Sequence, residues 1–345
     1  MRRATIRDIA EATGYSKTTI SFAFNNPSRI SDNAKGKILA KAAELGYVPD
    51  PVARSLSRRK LDTIGLLLPH SIPFALQNPY IVRLIRGLGE VCNEHGLALT
   101  MLPPSRGDLF RSVRSAAVDG LVTIGLRPED EIVNLINQRQ MPYVTIDGDA
   151  GGEVPSIMVD DREGARLAME HVLLAGHREI GIVMLEEGQT DNREEYSGIG
   201  RVRLDGYYDA LEQAGIAAND SHVRVFSAPC SLAGGQAVAK QLCNQNPAVT
   251  AVLCMSDIIA LGLYRGLALA GAAIPRDYSI VGFDDITECE LVDPPLSTVH
   301  QPAEEKGRKA GELLLARIKK SSVADVLFPC RLVSRSSVRE LRRTE

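Results

Sequence analysis

The sequence predicts a small all-α head with a helix-turn-helix, followed by an α/β body of two doubly wound parallel-sheet lobes. Residues 1–60 carry twelve Lys and Arg against five Asp and Glu, whereas residues 61–345 carry 28 against 38. Helix-capping residues recur at short spacing in the head, while the body alternates β-branched runs with helical patterns. The chain has 345 residues, and at about 150 residues per domain this length also favours two or three domains.

The head contains three capped helices. Thr5 and the acidic residue three positions later have the spacing of a capping box. Ser16 is placed to cap a second helix that extends to about Asn25, and Ser31 caps a third that ends before Gly46. Because a short turn containing a glycine joins the first two helices, the pattern indicates a helix-turn-helix.

The polar face of the second helix indicates a DNA partner. Lys17, Thr18, Ser21 and Phe22 lie opposite its apolar stripe. An exposed phenylalanine is unfavourable unless something covers it, and a thymine methyl in the major groove is one candidate; packing within the head is the alternative. With the basic charge of the head, this face favours double-stranded DNA.

A segment with helix-start signals follows the head. Asp50 and Pro51 are typical of an N-cap and a first helical residue. Only about seven residues remain before the basic run Arg58-Arg59-Lys60, too few for a stable isolated helix. The segment is therefore expected to fold on contact with a partner.

The body contains two series of strands that alternate with helices. Repeated strand–helix units predict parallel sheets covered by helices, with a ligand cleft at the carboxyl ends of the strands. The predicted strands are 63–68, 97–102, 120–124 and 143–146 in the first series, then 180–185, 223–226, 251–254 and 280–283 in the second.

Polar residues follow several of these strands. Asp147, Ser256 and Asp284 each come just after a predicted strand, and Arg203 lies near the start of a helix. A carboxylate accepts from neighbouring sugar hydroxyls, and a guanidinium donates in a fork. The alternative is that such carboxylates cap the next helix, which we favour for Asp257 and Asp285.

The segments TIRDIAEATGYSKTTISFAFNN, SRIS and ELGYVPDPVARSL resemble the lactose/galactose-repressor family of bacterial transcription regulators, and the resemblance covers essentially the whole chain. It implies a second helix that reads the major groove and hinge helices that form between two protomers on the operator. Leu56 matches the leucine that wedges into the central minor-groove step. The family usually has arginine where Phe22 stands, so the outer half-sites of the operator should differ. The candidate DNA-binding residues are Thr5, Ser16, Lys17, Thr18, Ser21, Phe22, Asn25, Arg29, Ala53 and Leu56.

The resemblance also implies a periplasmic-binding-protein-like body with an effector site, most commonly for a carbohydrate. Segments TID, GFDD and RxRLDGY place effector-contacting positions at Asp147, Asp284 and Arg203. The family often has asparagine where Ser256 stands. Phe283 could replace the absent tryptophan, although a core position is more typical of it, and a loop histidine could line the cleft. The candidate effector residues are Asp147, Arg203, Ser256, Asp284, Phe283 and His70.

The resemblance and the patterns together predict the domain organisation. We expect a head at 1–49, a hinge helix and linker at 50–60, an N-terminal effector subdomain at 61–160 plus 291–322, and a C-terminal effector subdomain at 161–290 plus 323–345. No leucine heptad extends the C-terminus, which favours a homodimer on a pseudo-palindromic operator.

Other classes find little support in the sequence. The chain has no P-loop, zinc-protease or nucleophile-elbow motif, no spaced metal ligands, and six cysteines without a CxxC pair. No signal peptide or membrane-span pattern is present, so we expect a cytoplasmic protein, associated with the nucleoid when bound to DNA, without cofactor, metal or enzymatic activity. The alternatives are a cytosolic sugar-binding or sugar-modifying protein with a basic N-terminal extension, and an activator instead of a repressor.

Overall fold

The structure, a computed structural model, describes residues 4–50, 60–149, 154–186, 197–217, 222–244 and 249–341. The chain divides into two compact units, a head at residues 1–62 and a body at residues 63–345. Within the described ranges, no helix is both long enough and apolar enough to cross a membrane.

The head is a three-helix unit with the predicted helix-turn-helix. Its helices are Ile6–Thr13 (α1), Lys17–Asn25 (α2) and Asp32–Glu44 (α3), and a 3-10 turn at Pro27–Arg29 precedes α3. Apolar residues from the three helices form one small core: Ile9, Ile20, Ala23, Ile38 and Ala42. Helical spacing of these residues made the head predictable from its sequence.

Side chains and one glycine define the ends of the head helices. Thr5 and Asp8 form the capping box, with the Thr5 amide 2.7 Å from the Asp8 carboxylate. At the end of α3, Gly46 has φ +62° and its amide donates to Ala43 O, while the Tyr47 amide donates to Ala42 O. These two bonds are the Schellman pattern, which needs a left-handed residue where this glycine stands.

The body has two parallel-sheet lobes, as predicted. Its strands are Thr63–Leu67 (β1), Ala98–Leu102 (β2), Gly120–Ile124 (β3), Tyr143–Ile146 (β4), Ser156–Val159 (β5), Ile180–Leu185 (β6), Val223–Ala228 (β7), Ala251–Cys254 (β8), Ser279–Asp284 (β9), Ser297–His300 (β10), Val326–Phe328 (β11) and Arg331–Val333 (β12). Its helices are Ile72–Ala75 (α4), Pro79–Glu94 (α5), Leu109–Ser115 (α6), Glu131–Gln138 (α7), Asp161–Leu174 (α8), Gly198–Gln213 (α9), Leu232–Cys243 (α10), Asp257–Leu269 (α11) and Ala303–Ile318 (α12), with a 3-10 turn at Thr287–Glu290.

Each lobe is built on one six-stranded sheet. The first lobe has the strand order β11-β5-β4-β3-β1-β2, and the second has β12-β10-β9-β8-β6-β7. All described neighbours run parallel except β12, which is antiparallel to β10. The strand order reverses within each sheet, which leaves a crevice at the carboxyl ends of the strands.

The chain passes between the two lobes at positions other than the expected boundaries at 291 and 323. Ser297–His300 pairs with β9 and so belongs to the second sheet, while Val326–Phe328 pairs with β5 in the first sheet. The expected placement of these two strands was therefore wrong. Strands of three or four residues carry too little periodicity to be assigned to a sheet from sequence.

Two glycines bring α12 very close to α5 in the first lobe. A Cβ on Gly87 would lie 1.9 Å from Glu304 O, and one on Gly307 would lie 2.0 Å from Leu84 O. Only glycine allows this backbone approach. The close packing holds the start of α12, including Lys306, against the start of α5, where Tyr80 lies.

Candidate functional site

Two of the predicted DNA-binding residues cap helices in the head. The Thr5 hydroxyl lies 2.8 Å from the Asp8 carboxylate, and Ser16 Oγ accepts from the Thr19 amide at 3.1 Å. Both side chains are exposed. They fix where α1 and α2 begin and still lie at helix N-termini, which are suited to phosphate contact.

The face of α2 that we predicted for base reading is partly covered from within the head. Lys17 and Thr18 are exposed, whereas Phe22 is half-buried. The Arg29 guanidinium carbon lies 5.4 Å from the centroid of the Phe22 ring, within the range of a cation–π contact. Packing within the head, the alternative to a DNA contact, therefore accounts for the buried part of the Phe22 side chain.

The other predicted DNA residues divide into two groups. Asn25 Nδ2 donates to Ser21 Oγ at 3.2 Å, and both side chains are half-buried on α2. Ala53 and Leu56, together with the predicted hinge helix, lie outside the described residues.

A cleft of about 690 Å³ lies between the carboxyl ends of the two sheets. Asp147, Arg203, Ser256 and Asp284 line it, as predicted, so residues more than 130 positions apart in sequence meet at one site. Further described lining residues are Asn78, Tyr80, Ile81, Ile124, Gly125, Arg127, Asp130, Leu185, Ser197, Gly198, Ile199, Cys230, Met255 and Gln301.

Two predicted effector residues do not line this cleft. His70 is exposed, and its ring packs edge-on against Phe74 with centroids 5.0 Å apart. Phe283 is fully buried, and the Arg203 guanidinium carbon lies 3.6 Å from its ring centroid. Phe283 therefore supports Arg203 from behind, because side chains alternate along β9 and Phe283 lies on the opposite face of the strand from its neighbour Asp284.

Asp147 and its partners form the polar wall of the first lobe. Tyr80 donates its hydroxyl proton to Asp147 Oδ2, and the Lys306 ammonium donates to Asp147 Oδ1. Lys306 Nζ also lies 2.8 Å from the Tyr80 hydroxyl oxygen and 3.0 Å from Gln301 Oε1. Both oxygens of Asp147 thus have a donor within the protein before any effector binds.

Asp284 is the centre of the polar wall of the second lobe. Ser256 Oγ donates to Asp284 Oδ2 at 2.8 Å, and Gln301 Nε2 donates to Oδ1 at 2.5 Å. Because Gln301 also contacts Lys306, one amide links the polar walls of the two lobes. Among the described residues, no cationic side chain hydrogen-bonds to Asp284.

Arg203 forms a buried ion pair with Asp161 at the start of α8. Arg203 Nε lies 2.8 Å from Asp161 Oδ1, and Nη1 donates to Met255 O at 2.5 Å. The two side chains are only 3% and 6% exposed. Arg203 is therefore both a cleft residue and part of the support of the second lobe.

Burial changes the protonation of several cleft groups. Desolvation, followed by the nearby Asp257 carboxylate, raises the pKa of Asp284 to about 7. Burial also raises the pKa of Asp161, although Arg203 acts in the opposite direction, and it raises the pKa of Tyr80 well above its usual value. Asp284 therefore holds its proton to a higher pH than an exposed aspartate does.

The backbone at Asp147 and Asp284, the two carboxylates predicted to bind effector, adopts unusual conformations. Asp147 has φ +54° and Asp284 has φ +135°, outside the regions that non-glycine residues favour. Such strain persists only where surrounding contacts hold it, and it concentrates at functional sites. Asp62, Arg106, Gln140, Asp285 and Lys320 also have positive φ, so this backbone conformation does not by itself mark the cleft.

Asp257 and Asp285 have structural roles other than helix capping, which we had favoured for both. The Asp257 carboxylate accepts from Thr298 Oγ1 at 2.6 Å and from the Ile286 amide at 3.0 Å. Asp285 pairs with Arg335 at 2.8 Å and with His300 at 2.8 Å. Both carboxylates tie the segment after β9 to neighbouring strands.

Sequence reasoning missed Tyr80, Gln301, Arg127 and Lys306. Lys306 had a detectable signal in the sequence, because it lies on the apolar face of α12 together with Ala303 and Ala310. A lysine on that face indicates either that the face was wrongly assigned as buried or that the lysine forms a buried ion pair. In the part of the chain that the structure describes, no group of His, Cys, Asp and Glu could hold a metal ion.

Comparisons with known proteins match both units. Residues 5–50 match the family described as bacterial regulatory proteins, lacI family, and residues 169–338 match the periplasmic binding protein-like domain. The ribose operon repressor of Haemophilus influenzae is 34% identical over 325 residues, which cover 92% of each chain. The HTH-type transcriptional repressor PurR of Photobacterium profundum is 30% identical over 347 residues, covering 98% of this chain and 99% of that one.

Solved structures agree with these sequence matches. A lac repressor dimer bound to operator and the anti-inducer ONPF is 25% identical, with a TM-score of 0.80, and the match covers 98% of this chain and 100% of that one. A lacI-family regulator from Enterococcus faecium with bound ribose is 29% identical, with a TM-score of 0.69, covering 81% and 100%.

Proposed function

The chain belongs to the lacI family of bacterial regulatory proteins, and on that premise we propose how its two units divide the work of a DNA-binding transcription regulator. The head reads operator DNA through Lys17, Thr18 and Phe22. The cleft between the lobes binds a carbohydrate effector. Effector binding changes the affinity for the operator, and the default state is repression, as in the relatives named repressors.

One observation carries the effector assignment. Asp147, Asp284 and Arg203 come from distant parts of the sequence and line the same cleft of about 690 Å³. This volume suits a small polar molecule, and carboxylates paired with a guanidinium are suited to adjacent hydroxyls. The lacI-family regulator from Enterococcus faecium holds ribose, and another solved structure similar to this chain, with 26% identity and a TM-score of 0.69, is a complex of the transcriptional regulator CelR with cellobiose.

The assignment of DNA contacts is also a proposal. Lys17 and Thr18 begin α2 and are exposed, so they are placed to reach base edges, while Thr5 and Ser16 lie at helix starts and are suited to phosphates. Arg29, stacked on Phe22, would add a cation beside the half-buried ring. A homodimer presenting two such heads would recognise a pseudo-palindromic operator in the cytoplasm.

The relatives are transcription regulators rather than enzymes. We assign no reaction to the cleft. Its carboxylates are held in place by hydrogen bonds within the protein, an arrangement suited to binding and orienting a ligand. For the proposed organisation, residues 1–49 read DNA, 50–60 form the hinge, and the two lobes form the effector subdomains with the strand exchange described above.

The switch requires that the effector bind one arrangement of the lobes better than another, since equal affinity for both shifts nothing. Asp284→Asn tests this in the full chain. The amide keeps the shape of the side chain: its oxygen can still accept from Gln301 Nε2, and its nitrogen can donate to the Ser256 hydroxyl. Operator binding should therefore remain while the response to the sugar falls at least tenfold.

The measurement is fluorescence anisotropy on an operator obtained by selection, with and without ribose or cellobiose. Glu312→Gln, the same chemical change at an exposed position of α12, is the matched control and should respond as the parent does. A normal sugar response in Asp284→Asn would show that the cleft assignment is wrong.

A further inference from the structure

A second pocket, of about 800 Å³, lies in the first lobe at the edge of the sheet opposite the cleft. Tyr143 is the first residue of β4 and Pro155 directly precedes β5, so both lie at the amino ends of strands, whereas the cleft lies at the carboxyl ends. The ends of α7 and α12 and the segment that leads into β11 form its other walls. No described residue lines both the pocket and the cleft.

Apolar side chains form much of the inner surface of this pocket. Met141 and Pro155 are buried, and Val154 and Val323 are half-buried. A ligand that covers these side chains removes apolar surface from water, which favours binding. Small-molecule sites of about 300–1,000 Å³ typically combine such apolar walls with a small number of polar groups that orient the ligand.

The Tyr143 hydroxyl is a buried polar group without a hydrogen-bond partner in the described part of the chain. The residue is 1% exposed, and it lines the pocket. Burial raises the pKa of this phenol, whereas the nearby Arg317 guanidinium and Asn137 amide lower it. Because the large majority of buried hydroxyls in proteins are hydrogen-bonded, this one indicates a partner from outside the chain.

The charged residues of the pocket favour an anion. Arg317 lies in the last turn of α12, and Lys320 is exposed two residues beyond the end of that helix. The described lining includes one carboxylate, that of Asp325, whose Oδ1 already accepts from the Ser156 amide at 2.8 Å. The lining therefore carries an excess of positive charge next to the Tyr143 hydroxyl.

We propose that this pocket is a second ligand site, separate from the cleft, which binds a small hydrophobic carboxylic acid in its ionised form. A carboxylate oxygen accepts from the Tyr143 hydroxyl and lies beside Arg317 and Lys320. The apolar body of the acid covers Met141 and Pro155. A carboxylate brings an acceptor and a negative charge together, whereas a neutral amide brings the acceptor without the charge, and inorganic phosphate brings charge without an apolar body.

Matched compounds test the ligand class by calorimetry on the full chain. The acids are benzoate, phenylacetate and 4-methylpentanoate, each compared with its neutral amide and with inorganic phosphate. We expect at least one acid to bind, with its amide and phosphate at least tenfold weaker. The proposal is wrong if none of the three acids binds, or if the amide or phosphate binds as tightly as the acid.

Tyr143→Phe tests the location of the acid, because it removes only the hydroxyl. Without acid, the variant should unfold at the same urea concentration as the parent or at a higher one, yet bind the acid at least fivefold more weakly. Tyr207→Phe is the matched control: its hydroxyl is likewise buried without a described partner, but Tyr207 lines neither the pocket nor the cleft. An unchanged acid affinity in Tyr143→Phe, or a lower unfolding midpoint that reveals a partner within the chain, would overturn the proposal.

Lys320→Gln tests the charge of the pocket at an exposed position, where loss of folding is not expected. It should weaken binding of the acid at least threefold. Lys319→Gln makes the same change at the neighbouring exposed lysine, which does not line the pocket, and should bind the acid as the parent does. If Lys320 only compensates the partial negative charge at the end of α12, the two variants will bind the acid equally well, which would contradict the proposed site.

Discussion

Replacing Arg203 should destabilise the second lobe. This loss of folding stability would mask any effect of the replacement on effector binding. Arg203→Met leaves the Asp161 carboxylate, 6% exposed, without the guanidinium that now lies 2.8 Å away. Breaking a buried ion pair by removing one partner costs about 3–5 kcal/mol, because a buried charge is left unpaired. The lost contact with Met255 O leaves a buried carbonyl with one donor fewer.

Urea unfolding followed by far-ultraviolet circular dichroism measures this loss, since the chain has no tryptophan to report by fluorescence. Arg203→Met/Asp161→Asn should recover most of the stability, because no charge is left unpaired. The exposed pair Arg162 and Asp209 is the matched control, and its double replacement should leave the unfolding midpoint close to that of the parent.

The reasoning is refuted if Arg203→Met unfolds at the same urea concentration as the control. It also fails if the double variant is as unstable as the sum of its single variants, since the two residues would then not be coupled. If the expected loss is found, an unresponsive Arg203 variant says little about effector contact, which is why Asp284 is the better position for that test.

Three further outcomes are expected. Phe22→Arg should change the preferred base at one position of each half-site, by about 1–3 kcal/mol for a good contact, and operator selection that returns the parental consensus would contradict this. Thr5→Ala should destabilise the head by about 1 kcal/mol through loss of the capping box, measured by thermal unfolding of the full chain with Thr13→Ala for comparison. Since burial raises the pKa of Asp284 to about 7, a sugar that donates to its carboxylate should bind more tightly as pH rises from 6 to 8, and calorimetry should show no such slope in Asp284→Asn. The same shift makes the folded chain hold a proton that the unfolded chain releases, so this group's contribution to stability is present at low pH and is lost as pH rises toward and through 7.

The head was predictable because its signals are local. Thr5, Ser16 and Ser31 act within three residues of themselves, and each caps the helix that its position predicts. The strands of the body were similarly clear where four or more buried residues run together, as in Ile180–Leu185. Such patterns depend on the chain near one position rather than on its fold.

The cleft was predictable only where a polar residue directly follows a strand. Asp147 and Asp284 gave this signal, whereas the partners of each carboxylate come from other elements. Lys306 reaches Asp147 across 159 positions of sequence, a contact that exists only because α12 packs on α5. His70 and Phe283 were misjudged because side-chain type does not show which way a residue faces.

The shorter strands could not be assigned for a related reason. Ser297–His300 and Val326–Phe328 join opposite sheets although the chain between them is largely one helix. Their pairing depends on which strand edge is available after the rest of each sheet has formed. Sequence patterning holds no information about that choice.

The most direct test of the account is the coupling between effector and operator. Calorimetry should measure the affinity of the effector sugar for the free full-length chain and for the chain bound to its selected operator. Thermodynamic linkage requires the two affinities to differ by the same factor by which the sugar changes operator affinity, about 5- to 150-fold for a coupling of about 1–3 kcal/mol. Equal sugar affinities with and without operator would contradict the account, because a ligand in the cleft would then have no influence on DNA binding.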